Sequence, residues 1–183
     1  MHGCRAIGGR LNRSLKLTSR HEPPVILRAA APADLEDLRE WKNANKAGFF
    51  FQDEITEQMQ KDWYAKYLNR PDDFMFIVEQ EGLKVGCMGF RLEGSGAIDT
   101  YNIIASPAGA GKGIMKRAMA VLCSYAADFY TKDIGCLVLK SNTAVGYYQS
   151  CGFNITGRGD KHHIFKLDWT RFRSVAYDVS EKK

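Results

Sequence analysis

The stretch from Ile103 to Arg117, reading IIASPAGAGKGIMKR, limits the fold more than any other part of this chain. An apolar strand runs directly into Gly109, Gly111 and Gly113, and these lead into a basic helix start. Alternate glycines lack Cβ atoms and let the backbone bend tightly. The helix that follows opens with unsatisfied N–H groups and the positive end of its dipole. Such a junction suits a phosphate or pyrophosphate. Two common phosphate folds do not fit it. A dinucleotide-binding unit places its glycines after the first strand of a parallel βαβ repeat, whereas here three strands that read as antiparallel come first. A GxxxxGK[ST] loop needs another spacing, and no Ser or Thr follows Gly111-Lys112.

Val25 to Arg28 reads as a first strand. Pro32 opens a helix in which Asp34, Glu36 and Asp37 suit the positive dipole end, with Leu35, Leu38 and Trp41 as its apolar face. Phe49-Phe50-Phe51 breaks that pattern and is expected in the core or in a pocket wall. Thr56 caps a second helix, and Met59, Trp63 and Tyr67 share one side of it. Phe74–Glu79, Lys84–Leu92 and Ala97–Ala105 read as antiparallel strands joined by Gly-containing turns. Ile114, Ala118, Leu122 and Tyr125 stripe a helix over 112–130. A strand at 135–140, a short helix at 143–150 and strands near 153–158 and 162–168 complete the domain. This order predicts a single α/β (α+β) domain, with a mixed, mostly antiparallel central sheet flanked by helices.

The domain is placed at 25–168. Residues 1–24 read as a basic, flexible extension, since Arg5, Arg10, Arg13, Lys16 and Arg20 precede the first acid, Glu22. Ile7, Leu11 and Leu15 share a weak helical face, and an organelle transit peptide is a second reading of this segment. Residues 169–183 read as a tail in which Trp169, Phe172, Val175 and Tyr177 are available for packing. The net charge of +5 favours anionic ligands, but its excess lies in the first 20 residues, so no nucleic-acid partner is expected of the domain. No apolar run reaches the roughly 20 residues of a membrane span. Cys4, Cys87, Cys123, Cys136 and Cys151 are odd in number and scattered, which suits reduced thiols in a cytoplasmic protein and no metal. His162-His163 are strand neighbours and should face opposite sides.

Two segments carry a family resemblance. Ala110-Gly111-Lys112-Gly113-Ile114-Met115 resembles the Q/R-x-x-G-x-G/A loop of the GNAT N-acetyltransferases, with Gly113 on the central glycine and Ala110 and Met115 departing from the ends. Ser141 to Phe153 resembles the family's N-x-x-A…Y-x-x-x-G-F segment, with Ala144, Tyr148, Gly152 and Phe153 in place and Asn142 one position late. The resemblance implies acetyl-CoA as co-substrate, bound where two strands splay apart. It implies that Ile103 and Ile104 offer backbone groups to pantetheine, joined by Asn142 and Tyr148. It also implies that Gly109, Ala110, Gly111, Lys112, Gly113 and Ile114 hold the pyrophosphate. Tyr148 is the expected proton donor to the leaving thiolate. Asp99 is the first choice of base, with Tyr101 beside it on the same strand. Glu40-Trp41-Lys42-Asn43 and the aromatic segment after it resemble a subgroup of aminosugar and ribosomal-protein-type acetyltransferases. The acceptor expected is a small-molecule amine such as a nucleotide-linked aminosugar, with a protein N-terminus as the alternative. A non-catalytic acyl-CoA-binding relative is a third reading. A homodimer is compatible with all three.

Overall fold

Two strands carry apolar residues at nearly every central position, β3 (Asp73–Gln80) and β4 (Leu83–Leu92), and both are buried on both faces. That pattern belongs to the middle of a covered sheet. The computed structural model describes residues 14–181. Around the central pair lie β1 (Leu15–Ser19), β2 (Ile26–Ala29), β5 (Ile98–Ala105), β6 (Ile134–Leu139), β7 (Phe153–Arg158), β8 (His162–Leu167) and β9 (Tyr177–Glu181). The sheet order is β7-β8-β6-β5-β4-β3-β2-β1-β9. Every neighbouring pair is antiparallel except β5 and β6.

Helix α3 (Ile114–Phe129) covers one face, burying Ile114, Met115, Ala118, Met119 and Leu122 against the sheet, with α4 (Val145–Ser150) beside it. Helices α1 (Leu35–Ala44) and α2 (Glu57–Leu68) cover the other, where Leu38, Trp41 and Tyr67 meet Met75, Ile77 and Ile104. Thr56 caps α2 as its sequence position predicts, its hydroxyl accepting the Met59 N–H at 3.2 Å. No helix among the described residues is long and apolar enough to cross a membrane.

The chain ends differ from the expectation. Residues 15–19, within the segment read as flexible, form β1, pairing with β2 on one side and β9 on the other. The reason is a period-two pattern: Leu15, Leu17 and Ser19 point into the core and Lys16 and Thr18 out. Leu15 therefore belongs to a strand, not to a helical face; Ile7, Leu11 and Cys4 lie outside the described residues. The tail also packs. Phe172 is buried, and the Tyr177 hydroxyl donates to Asp128 at 2.7 Å.

Asp34 ties the entry of α1 to the sheet. Its carboxylate, 1% exposed, accepts from Arg28 at 2.6 Å, Lys84 at 2.8 Å and the Ala31 N–H at 2.9 Å. Burial pushes this carboxyl up, but the Arg28, Lys84 and Ala31 bonds together outweigh burial and hold it down at about 2, against an ordinary 3.8. A depressed carboxyl stabilises the fold above its unfolded value and loses that contribution as pH falls through the folded one. Asp34→Asn leaves Arg28 with Glu79 and Lys84 with Asp37 as their remaining acids, and takes the charge from the buried centre of the network. It should cost about 2 kcal/mol, a fall of roughly 4–8 °C in Tm. Thermal melts should show this gap at neutral pH and show it closing as pH falls from about 4 towards 2.

Candidate active site

Strand β5 is paired to β6 only at Ile98–Ile134 and Asp99–Gly135. Beyond those two positions β6 continues against β8, and β5 parts from it. The far half of β5 therefore presents unpaired backbone groups to a cleft. An irregularity sharpens the parting. Between Cys87–Ile104 and Gly89–Tyr101, β5 holds one residue more than β4, and Asn102 there adopts φ 49°. Such a bulge re-aims the side chains around it. The cleft is a cavity of about 780 Å³ whose walls are β5 from Asp99 to Ala105, the 141–144 turn, Tyr148, and the Phe49–Phe51 segment.

At one end lies the glycine loop. Gly109 passes so close to β4 that a Cβ there would overlap the Val85 carbonyl oxygen. Gly111 and Gly113 have φ 74° and 71°, where a side chain is strained. The N–H groups of Gly109 and Ala110 are already donated to the Ser106 carbonyl, at 3.0 and 3.1 Å. Among the described residues, those of Gly111, Lys112, Gly113, Ile114, Met115 and Lys116 have no partner, and they form the anion-binding end of the helix. The donors are thus fewer than the 109–114 range expected, and they begin at Gly111. Lys112 and Lys116 are exposed beside them. Arg117 is not available: it bonds to the Pro23 carbonyl at 3.2 Å and Gln80 at 3.1 Å. Met115, at the position where the motif has a small residue, points into the core. Its Sδ would lie 2.8 Å from a Cβ on Gly86, so the missing side chain at Gly86 makes its room.

The other predicted residues separate. Ile103, Ile104, Ala110, Asn142, Tyr148, Asp99 and Tyr101 line the cavity. Ile114 is 4% exposed in the core, so only its N–H faces the loop. Asn142 is committed on both sides, accepting the Ala144 N–H at 2.8 Å and donating to the Gly48 carbonyl at 2.9 Å. It joins two walls of the cleft. Tyr148 packs its ring against Phe153 and Phe165. Among the described residues its hydroxyl has no hydrogen-bond partner, and burial pushes its ionisation far up, so the proton stays on. Asp99 makes no ion pair or hydrogen bond among the described residues. Burial, then the charge of Glu93, pushes it up to about 6 against the pull of Arg91. Tyr101 differs from the expectation of a free catalytic group. Its hydroxyl donates to Asp73, which also accepts from Arg91 at 3.0 Å, and the Arg91 guanidinium lies 3.9 Å from the Tyr101 ring centre. Burial holds that phenol protonated.

Two neighbours of this cleft were not singled out from the sequence. Lys42 donates to Asn102 Oδ1 at 2.6 Å and sits 3.1 Å above the Phe49 ring. Beneath it, between α1, α2 and the sheet, a second cavity of about 300 Å³ opens. Lys42 stands in the Trp41-Lys42-Asn43 segment, but nothing local in that segment says that its ammonium is buried.

Residues 25–154 match the family described as an acetyltransferase (GNAT) domain. No curated protein matches by sequence. Among solved structures, a probable GNAT-family acetyltransferase from Chromobacterium violaceum is 19% identical with a TM-score of 0.70, covering 91% of each chain. FdhC, a nucleotide-linked sugar GNAT in its apo form, is 16% identical with a TM-score of 0.65, covering 80% of this chain and 88% of its own. Spermidine N-acetyltransferase SpeG from Vibrio cholerae, solved with CoA and spermine, is 20% identical with a TM-score of 0.61, covering 78% and 92%. The splayed strands, the glycine loop before α3, the sheet and the family match agree: this chain belongs to the GNAT acetyltransferase domain family.

Proposed function

We propose that this protein is an acetyl-CoA-dependent N-acetyltransferase that moves an acetyl group directly to the primary amine of a small molecule. The observation that carries this reading is the convergence of three features in one cleft: the free N–H groups from Gly111 into α3, the unpaired edge of β5, and the unpartnered Tyr148 hydroxyl. These fit acetyl-CoA, with its pyrophosphate on the loop and its pantetheine arm along Ile103 and Ile104. Bound there, acetyl-CoA supplies the activated thioester. Asp99 takes a proton from the bound ammonium, the amine so freed attacks the thioester carbonyl carbon, and Tyr148 gives a proton to the sulfur as the C–S bond breaks. The cleft holds amine and thioester side by side, which removes the entropic cost of bringing them together. Phe49 to Phe51 wall the acceptor side, and a nucleotide-linked aminosugar is the first acceptor class to try, in keeping with the FdhC neighbour.

The test is incubation of the protein with acetyl-CoA and a mixed amine library, following free thiol and acetylated products by mass spectrometry. Acetyl-CoA should also raise Tm. No thiol release and no stabilisation would overturn the reading. With a turned-over amine in hand, kcat/KM should climb with pH through an apparent value near 6, where Asp99 loses its proton. Asp99→Asn should remove that limb and slow turnover by about 10²-fold or more. A limb unchanged in the variant would assign the base elsewhere.

A further inference from the structure

The charge around the acceptor side of the cleft is unusual for a site that must hold an ammonium. Asp99 is the single carboxylate lining the main cavity among the described residues, and Lys42 and Arg91 line it too. Arg91 is already bound to Asp73. Lys42 is not matched in this way. Among the described residues no carboxylate lies within ion-pair distance of it, and its neighbours are the Asn102 side-chain oxygen and the Phe49 ring. A half-buried ammonium with no counter-ion is costly. Burial accordingly pulls Lys42 down to about 8, a penalty that an anionic ligand would relieve.

Lys42 also stands at the junction of the two cavities, which share Lys42, Phe51, Asn102 and Ile104. The inner one has no Asp or Glu in its lining; Leu38, Ile55, Met59, Trp63 and Met75 make most of its surface. Its volume, about 300 Å³, is that of about ten waters at ~30 Å³ each. A flat ring or a branched apolar group fills such a space without losing hydrogen bonds. A groove of this make-up on the acceptor side therefore has three demands at fixed places: an ammonium near Asp99, an anion at Lys42, and an apolar group beneath α1 and α2.

We propose that the acceptor is an amine that also carries an anionic group, bound by Lys42, and an aromatic or apolar group, bound in the inner cavity. This rests on the acetyltransferase reading. It makes Lys42 a specificity-determining residue, and it excludes a polyamine, whose several ammonium groups would face Lys42 with no acid but Asp99 to hold them. Amino acids with large side chains and nucleotide-linked aminosugars both meet the description, the anion being a carboxylate in one and a diphosphate in the other.

The test uses the full chain with saturating acetyl-CoA and four probes: phenylalanine, uridine diphosphate–glucosamine, phenethylamine and spermidine. Thiol release gives KM and kcat, and calorimetry with CoA present gives binding where turnover is slow. At least one of the two anionic probes should be favoured over phenethylamine and spermidine, and which one it is identifies the anion. Lys42→Met should raise KM or Kd for that probe about tenfold or more and shift phenethylamine far less, while Lys42→Arg should retain most of the preference. Preference for spermidine or phenethylamine, equal effects of Lys42→Met on probes with and without an anionic group, or no binding of either anion-bearing probe would overturn the proposal. The acetyl-CoA-induced rise in Tm, measured on the same variants, reports the cofactor site separately. Its loss in the unaltered protein would defeat the acetyltransferase reading itself.

Discussion

Tyr148→Phe should lower kcat by about 10²–10⁴-fold while leaving the affinity for acetyl-CoA and the Tm nearly unchanged. The substitution removes one oxygen that has no protein partner among the described residues, and it keeps the ring that packs on Phe153 and Phe165. The lost group is a proton source. Burial keeps that phenol protonated at all working pH values, so it gives a proton to a thiolate and is poorly suited to remove one from an amine. The leaving thiolate without a donor must depart as an anion, which is the step expected to slow. A thiol-release assay with an acceptor that the unaltered protein turns over measures the loss. A decrease below about fivefold would place the donor elsewhere. Tyr101→Phe provides the contrast. Its hydroxyl is bound to Asp73, so that change acts on the Asp73–Arg91 network and on stability.

Gly111→Glu should abolish stabilisation by acetyl-CoA and raise its KM by about 10²-fold or more. Two physical effects combine. At φ 74° a residue with a Cβ is strained, by about 1–2 kcal/mol. The new carboxylate also stands among the free N–H groups of the loop and α3, where it would compete with the pyrophosphate and repel it. Gly111→Ala separates the two. A Cβ at this position meets no atom within 4 Å, so alanine should show the strain alone: a small fall in Tm with acetyl-CoA binding retained. Titration of Tm against acetyl-CoA for the three proteins makes the comparison. Equal stabilisation of Gly111→Glu and the unaltered chain would move the pyrophosphate away from this loop.

The elements near the centre of the chain were legible because their signals are local. Thr56 caps α2, the Gly-containing turns separate β3, β4 and β5, and 153–158 forms the strand its alternation predicts. Leu15-Lys16-Leu17 carries the same kind of signal, yet five residues of strand are masked by the surrounding arginines and become visible only when β9 arrives from the other end of the chain to pair with them. Within the candidate site, Tyr148 and Gly113 were expected through the family resemblance of their segments; the structure places Tyr148 in the cleft wall and Gly113 just before α3. Asn142 was expected at the cofactor through the same resemblance, and tertiary structure takes up its side chain between the Gly48 carbonyl and the Ala144 N–H.

What the sequence determined by itself is the scaffold of the site: an apolar strand, glycines at 109, 111 and 113, a helix start, and an aromatic helix ending in Gly152-Phe153. These are consequences of backbone freedom and periodicity, which each residue carries with it. Only the tertiary structure decided the charge states and the accessible groups. Asp99 rises to about 6 because neighbours from other strands bury it. Among the described residues Lys42 has no counter-ion, because α1 lays it over Phe49 and against Asn102, a residue sixty positions away. Desolvation and ion pairing depend on what lies within a few ångströms in space, and that neighbourhood exists only after the sheet has closed.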